Sequence, residues 1–411
     1  MKSFFSSGFF ANNRRRLQKL SGSDAPIVVT ANGLLQKSNV DGAYTFSQDA
    51  DFWYLTGIDE PDIVLVLDRG DEYLIVPPRP GIRETFDGKV AAGPLTRRSG
   101  IRTVLDEKTG WERLGKRLNR VGRVSTPAPA PAYTERYGIY ANPARANLVA
   151  RLRSYGRPKL TDLSPHLSQM RVIKQPPELK AMQAAVDITV DAMKEALAPA
   201  KRRAYRHEYE LEAELTRGFR RRGAGGHSFD PIVAGGKRAC TLHNVANEGE
   251  LHKDELVVVD VGAEVEHYAA DITRTVSLGK PSARQREVHA AVLEVQRFAL
   301  GLLKPGTTFK DYEQQVRRRM GEQLLALGLI RANKPENVHK FYPHGTSHFI
   351  GLYVHDAGDH ERPLEPGMVM SCEPGIYIPK EGIGVRIEDD VLITRTGNQV
   401  LTDKMPRGIV Q

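Results

Sequence analysis

The sequence predicts an α/β (α+β) protein of two domains. Three observations carry this. At 411 residues the chain exceeds the size at which a single core usually stops growing. Its first part carries short β-branched runs bounded by Gly, Asp and Pro. Its second part alternates strand-like runs with long helical stretches. A hydrophobic share of 40% and a charged share of 27% supply enough apolar material for sizeable cores and exclude wholesale disorder.

In chain order, residues 1–17 (MKSFFSSGFFANNRRRL) hold a short apolar content broken by Ser and Asn. The basic cluster follows it instead of preceding it, which is the wrong order for a secretory signal. A cytoplasmic setting is expected, with an organellar transit peptide as the alternative for this Arg- and Ser-rich, acid-free stretch. Residues 25–30 (APIVVT), 63–67 (IVLVL) and 72–76 (EYLIV) read as buried strands. Between them, residues 47–57 (SQDADFWYLTG) carry Phe52, Trp53 and Tyr54, expected as a strand-end core cluster or as an oligomer interface. The Pro-rich segment 125–133 (STPAPAPAY) reads as an irregular surface connection. Residues 159–179 read as a linker helix and a Pro-Pro break, with Pro176 and Pro177 marking a helix start. Helices are expected over 178–198 and 208–222, and a boundary near 170–175. This gives an N-terminal mixed α/β domain, 1–172, and a C-terminal domain, 173–411. In the latter, strands are expected at 231–234, 256–261, 275–278, 369–373 and 391–394, and helices at 283–304 and 311–327, with a loose duplication of helix pairs and strands.

The formal net charge is +9. Its basic residues fall in scattered groups, Arg14 to Arg16, Lys201 to Arg203, Arg220 to Arg222 and Arg317 to Arg319, which read as solvated helix faces. No helix-turn-helix, zinc-finger or aromatic-basic pattern accompanies them, so nucleic acid is not an expected partner. The charge can also attract anionic substrates. Cys240 and Cys372 are too few for a disulfide framework and point to a reducing compartment. No apolar run approaches membrane-spanning length, and no membrane partner is expected.

Four blocks carry candidate chemistry. Asp260 ends one apolar run and Asp271 begins another; a tight return between paired strands would bring the carboxylates together, at a cost unless a cation neutralises them. Taken singly, each reads equally as a turn residue or helix cap. The segment 344–356 (HGTSHFIGLYVHD) holds His344, His348 and His355, three of the 12 histidines. The first two would share a face on a helix, although the segment lacks clean helical periodicity. For each histidine a buried structural role is the alternative. Glu373 ends the run MVMSC before Pro-Gly, which aims it at a site. Glu388, beside Asp389 and Asp390, lies inside the strand-like 382–394 (GIGVRIEDDVLIT), where an acid is costly without a metal or an Arg. Arg386, two residues earlier on the same strand face, could be that partner. A solvated strand face paired with such an Arg is the plainer reading of either glutamate. Four carboxylates and one imidazole suit Mn²⁺, Co²⁺ or Zn²⁺ in a dinuclear site, where a bridging hydroxide becomes a nucleophile. Spacing alone does not establish that they converge.

The blocks occur together and in order: DFWYLTGIDEPDIVLVL (51–67), TLHNVANE (241–248), DVGAEVEHYAADITRT (260–275), HGTSHFIGLYVHDAG (344–358), LEPGMVMSCEPGIYI (364–378) and GIGVRIEDDVLIT (382–394). Over nearly its whole length the chain resembles the metal-dependent peptidases of the pita-bread fold, most closely the aminopeptidase P (Xaa-Pro aminopeptidase) family. The resemblance implies a C-terminal pita-bread catalytic domain, similar to creatinase and methionine aminopeptidase. It implies an N-terminal domain used in oligomerisation and substrate access, and a homodimer or homotetramer. Two divalent ions are implied, Mn²⁺ first with Co²⁺ or Zn²⁺ as alternatives. Asp271 and Glu388 would bridge both, Asp260 would bind one, and His348 and Glu373 the other. Glu373 would also handle the proton of the bridging water. His243 and His355 would lie near the substrate, and His344, Tyr377 and Arg386 would orient the ligands. The implied reaction is hydrolysis of an N-terminal Xaa-Pro bond in peptides with proline at the second position, by a hydroxide bridging two metals. The alternatives are a prolidase that takes only dipeptides, a methionine aminopeptidase (usually without so large an N-terminal domain), a metal-free creatinase-like enzyme, and a non-catalytic pita-bread binding protein, which would have lost ligands. Asn244, where the family commonly has Tyr, and the short segment 377–382 depart from the pattern and put substrate subsites in question.

Overall fold

The computed structural model describes residues 3–39, 41–129 and 137–409. The chain divides into two compact units, Phe5–Met170 and Arg171–Gln411, the second taking in Met1–Phe4 as well.

The first unit is built on one mixed sheet. Strands β1 (Ile27–Thr30), β2 (Val64–Asp68), β3 (Asp71–Val76), β4 (Thr103–Asp106), β5 (Arg123–Thr126) and β6 (Lys159–Asp162) lie in the order β4-β3-β2-β1-β5-β6. β2 runs antiparallel to β1 and β3, and the outer pairs are parallel. Helices α1 (Ser7–Ser21), α2 (Ala50–Thr56), α3 (Gly81–Asp87), α4 (Ala92–Ser99), α5 (Glu107–Val121) and α6 (Ala144–Arg153) accompany its strands in the chain, and α7 (Ser164–Val172) ends just past the unit's limit at Met170. Val28, Val66 and Ile75 of the sheet pack with Trp111, Leu114 and Leu118 of α5. Each such burial is worth roughly 1.5–3 kcal/mol for a Val- or Leu-sized side chain.

Three expectations change here. The aromatic run is a helix, α2, because Asp49 caps it by accepting from the N–H groups of Asp51 and Phe52, and Gly57 closes it in the left-handed region at φ 68°. Phe52, Trp53 and Tyr54 are at most 1% exposed. Trp53 meets Phe5 and Phe10 edge-on, with centroids 5.2 and 5.5 Å apart, so the aromatics build this unit's own core and are not offered to an interface. The basic groups are not all solvated. Arg14 is 1% exposed, paired with Glu72 and donating to the carbonyls of Leu55 and Ser99; Arg202 is also buried. Of the Pro-rich segment, Ser125 and Thr126 belong to β5, and 130–133 lie outside the described residues.

In the second unit, α8 (Pro176–Ala196) starts at the Pro-Pro pair, with the N–H of Gln175 donating to Glu178 Oε2 at 2.9 Å. α9 (Pro199–Arg202) and α10 (Glu208–Arg221) follow, then α11 (Ala283–Leu302), α12 (Phe309–Ala326) and α13 (Pro335–His339). Strands β7 (Gly226–His227), β8 (Ile232–Gly235), β9 (Leu256–Val261), β10 (Ala263–Val265), β11 (Tyr268–Ala269) and β12 (Ile272–Ser277) precede α11. After α13 come β13 (Val369–Cys372), β14 (Gly375–Ile378), β15 (Ile383–Arg386), β16 (Asp389–Ile393) and β17 (Asn398–Val400). They form small antiparallel sheets, β12-β9-β8, β11-β10-β7, β13-β16-β17 and β14-β15. α8 packs on α10, β10 and β11, while α11 packs on α12, β13 and β15. Val288, Val292, Val295 and Ala299 recur at helical spacing on α11 and meet Val316 and Met320 of α12 and Val385, Val391 and Ile393 of the sheets. Among the described residues no helix is long and apolar enough to cross a membrane.

Locally the chain departs from the sequence patterns in two places, at 260–271 and at 382–394, and matches the missing helical periodicity of 344–356. The return from Asp260 to Asp271 is no tight turn: the chain detours through the β10–β11 hairpin before β12 pairs back on β9. No helix spans 344–356; instead Phe349 bridges to Met370 of β13. The segment 382–394 is two strands of different sheets, β15 and β16, and Glu388 stands at the break between them.

Candidate metal centre

Each acid reaches the site from the end or edge of a buried strand. In β9, whose six residues are all buried, Asp260 lies opposite Thr273 of β12. Asp271 immediately precedes β12, its N–H held by Asp390 Oδ2 at 3.1 Å. Glu373 follows β13, its N–H donating to the carbonyl of Thr346 at 2.9 Å. Glu388 enters where β15 gives way to β16, and its N–H donates to the carbonyl of Thr273 at 3.0 Å. His348 is set by β13, since its N–H donates to Ser371 Oγ at 2.9 Å. Backbone pairing thus aims side chains from four separate stretches into one place.

They converge. Asp271, His348 and Glu388 present ligand atoms that all lie within 4.8 Å of one another. His348 Nε2 is 3.2 Å from Glu373 Oε1, 3.5 Å from Asp271 Oδ2 and 4.0 Å from Glu388 Oε1. Asp260 joins through Arg386, whose Nη2 donates to Asp260 Oδ2 at 2.6 Å. Arg386 Nε also donates to Thr273 Oγ1 at 3.2 Å, and Thr273 Oγ1 donates to Glu388 Oε2 at 2.6 Å. Arg386 therefore pairs with Asp260, and its tie to Glu388 runs through Thr273. Neither glutamate lies on a solvated strand face.

The electrostatics of the cluster call for positive charge. Burial, with the charges of Asp260 and Glu373 behind it, pushes Asp271 up to about 7 against the pull of His348. Burial and the neighbouring Asp271, Glu373 and Asp260 raise Glu388 well above the usual carboxylate range. Asp390 is raised by burial and by Asp271. Glu373 goes the other way: burial opposes ionisation, but His348, His344 and Arg386 outweigh it and bring the carboxyl down to about 2. His348 is desolvated, yet Asp271 and Glu373 raise it well above the ordinary histidine range. Asp260 Oδ1 and Asp390 Oδ1 are buried without a hydrogen-bond donor. Unsatisfied buried oxygens beside acids that resist ionisation are what hard-cation ligands look like, so these residues fit divalent metal ions.

Around the ligands, Arg386 Nη1 donates to the Tyr377 hydroxyl at 3.1 Å, and that hydroxyl lies 2.8 Å from His344 Nε2. His344 Nδ1 lies 2.7 Å from the Gly345 carbonyl, so it is the protonated nitrogen and the Tyr377 hydroxyl donates to Nε2. Arg386, Tyr377 and His344 are thus one chain running from Asp260 to the Glu373 side, where His344 Nδ1 is 3.8 Å from Glu373 Oε2. The ring of His355 stands edge-on to His348, with centroids 4.4 Å apart. Desolvation, reinforced by the charge of His348, lowers His355 to about 4. His243 lies in the exposed turn region after the short 3₁₀ helix Gly236–Cys240, near enough for its charge to act on His355 but outside the ligand cluster.

The sequence did not single out Thr273, Ser371 or Arg274. Ser371 Oγ donates to Glu373 Oε1 at 3.2 Å. Arg274, 1% exposed, donates to the Glu388 carbonyl at 2.5 Å and to Asp389 Oδ1 at 2.7 Å. Asp389 also accepts from Arg407 and Thr402, both at 2.6 Å. The available signal was the polar content of β12, ITRTVS, whose six residues are all buried and whose polar side chains therefore need buried partners.

Comparison with known proteins points to one family. A model of metallopeptidase family M24 matches residues 180–395, and one of the aminopeptidase P N-terminal domain matches 10–121. The chain is 35% identical over 403 residues to the Xaa-Pro aminopeptidase of Haemophilus influenzae, covering 91% of this chain and 89% of that one. It is 35% identical to the Escherichia coli Xaa-Pro aminopeptidase over 394 residues, covering 89% and 87%. The solved aminopeptidase PepP of Pseudomonas aeruginosa superposes with a TM-score of 0.86 at 30% identity, over 100% of this chain and 97% of that one.

Proposed function

The chain belongs to metallopeptidase family M24, a hydrolase family, with an aminopeptidase P N-terminal domain, and from that premise we propose that it removes the N-terminal residue of peptides with proline at the second position. The observation that carries the metallopeptidase reading is the convergence of Asp271, His348 and Glu388, with Glu373 Oε1 3.2 Å from His348 and Asp260 Oδ1 left unsatisfied. The proline restriction is supported by the relatives' designation as Xaa-Pro aminopeptidases.

Asp271 and Glu388 would be shared by two divalent cations, Mn²⁺ foremost and Co²⁺ or Zn²⁺ as alternatives, with Asp260 holding one and His348 and Glu373 the other. When bound, such a pair supplies an acidified water and polarises the scissile carbonyl. Glu373 would take the proton of the attacking water. His355, lowered to about 4, is neutral near pH 7 and keeps an N–H for the developing oxyanion or the leaving proline nitrogen; His243 assists from the facing turn. A bond to proline has a tertiary amide with no N–H to offer, so the site must recognise a ring instead of an amide proton. The chain from Arg386 through Tyr377 to His344 holds Asp260 and Glu373 in place while charge moves.

The N-terminal domain, 1–172, would serve oligomerisation and substrate access for the catalytic domain, 173–411, in a homodimer or homotetramer. Cys240 and Cys372 are both free thiols, which supports a cytoplasmic setting. A kinetic panel of Xaa-Pro dipeptides, Xaa-Pro-Yaa peptides and Xaa-Ala-Yaa controls, each with Mn²⁺, Co²⁺ and Zn²⁺, tests the proposal. Turnover of the tripeptides is expected. Hydrolysis confined to dipeptides would make the protein a prolidase, and equal turnover of the Ala controls would remove the proline restriction.

A further inference from the structure

His355 lies in a stretch, 351–364, that forms neither helix nor strand, yet its task requires a fixed ring. Its neighbour in sequence is held firmly. The Asp356 side chain is 1% exposed and sits between Arg171, 4% exposed, and Lys174, 0% exposed. Arg171 Nη2 donates to Asp356 Oδ1, and Lys174 Nζ donates to Oδ2 at 3.1 Å. Lys174 Nζ also donates to the Arg171 carbonyl at 2.9 Å, tying the two cations to each other. The backbone closes the clamp. Asp356 N–H donates to the Phe349 carbonyl at 2.8 Å, and Lys174 N–H to that of Gly367 at 2.9 Å. Glycine at 351 is part of the construction, since a Cβ there would stand 2.0 Å from Asp356 Oδ2 and 2.9 Å from Lys174 Nζ.

A buried pair of this kind is a poor source of stability, because desolvation consumes most of the attraction. It does fix geometry. Phe349, whose carbonyl receives the Asp356 N–H, directly follows His348 in the chain, so the clamp joins the backbones at His348 and His355. We infer that Asp356, gripped by Arg171 and Lys174, is a positioning residue for His355, setting its ring edge-on to His348. This rests on the reading of His355 as an oxyanion-stabilising or proton-transferring group.

The test is a double-mutant cycle on the full-length, metal-loaded enzyme with an Xaa-Pro-Yaa substrate. His355→Ala and Asp356→Asn are each expected to lower kcat, the second by roughly 10- to 100-fold with KM moving less than about threefold, since an ångström of misplacement costs on that order. The double variant is expected to be no slower than His355→Ala alone, because a residue that acts only through His355 has nothing left to lose once the imidazole is gone. Asp356→Asn leaves two buried cations short of an acid and can fail to fold. Gly351→Ala keeps every charge, displaces the carboxylate, and carries the same expectation in both backgrounds. Wild-type kcat in His355→Ala would overturn the role of His355 itself. A slow His355→Ala combined with independent, multiplicative losses, or with unchanged kcat in the clamp variants, would overturn the clamp alone.

Discussion

At Arg386 a single guanidinium meets Asp260, Thr273 and Tyr377, and is itself 5% exposed. Its removal would leave the Asp260 carboxylate buried without a cation. Arg386→Met is therefore expected to destabilise the metal-free protein by about 3–5 kcal/mol, measured by urea unfolding, and a loss under about 1 kcal/mol would show the pairing to be dispensable. Glu373→Ala removes one ligand and the proposed proton acceptor together. Turnover of an Xaa-Pro-Yaa peptide should vanish while the circular dichroism spectrum stays native; surviving activity would reassign the proton. Metal uptake should depend on pH. Asp271 titrates at about 7 in the fold, against 3.8 for an unperturbed Asp, so the folded metal-free chain holds that proton the more tightly. Its contribution to stability is complete below about 3.8 and is lost as pH rises through about 7. A cation must displace the proton, so the stabilisation conferred by Mn²⁺ should grow as pH rises through about 7. Calorimetry in two buffers of different ionisation enthalpy would register the proton released, and equal heats in both would contradict the shift.

Among the elements, β9 and β12 show most clearly how the chain places its acids. Six consecutive register pairs fix Asp260 opposite Thr273, and a slip of one residue would turn Asp260 to the other face. Gly262, just beyond β9, admits this pairing, since a Cβ there would lie 1.7 Å from the Ala270 carbonyl oxygen. Gly262→Ala is expected to cost about 1–3 kcal/mol in urea unfolding and to weaken metal binding, because the Asp271 turn must move. Unchanged stability and affinity would mean the hairpin yields freely. Strands such as β1, β2, β3 and β9 were legible because they are apolar runs with no competing pattern, and β8, β13 and β16 also fall where strands were expected. β4, β5 and β6 are four residues each, with polar members such as those of KLTD, and they become strands by pairing with neighbours that composition does not reveal.

Over the whole molecule, each unit buries its own core, so unfolding need not be a single transition. Both tryptophans, Trp53 and Trp111, belong to the unit Phe5–Met170, while the ligands all belong to the other. A chelator should therefore lower the transition followed by far-ultraviolet circular dichroism and leave the tryptophan fluorescence transition in place. The stabilisation at stake is about 2.7 kcal/mol when metal is present at a hundred times its Kd. If both signals shift together, the two units unfold as one.

The sequence by itself determined the α/β character and the long helices, because helical periodicity and β-branched runs are local patterns; it marked the five candidate ligands only singly, and their grouping came with the family resemblance. The ordered blocks around them carried that resemblance. The tertiary structure decided what local pattern cannot express. It broke 382–394 into two strands with Glu388 at the junction, gave Arg386 to Asp260, buried Arg14, and enclosed Asp356 between Arg171 and Lys174. Each of these depends on partners dozens to hundreds of residues away, and a buried charge acquires its role only from the group that meets it.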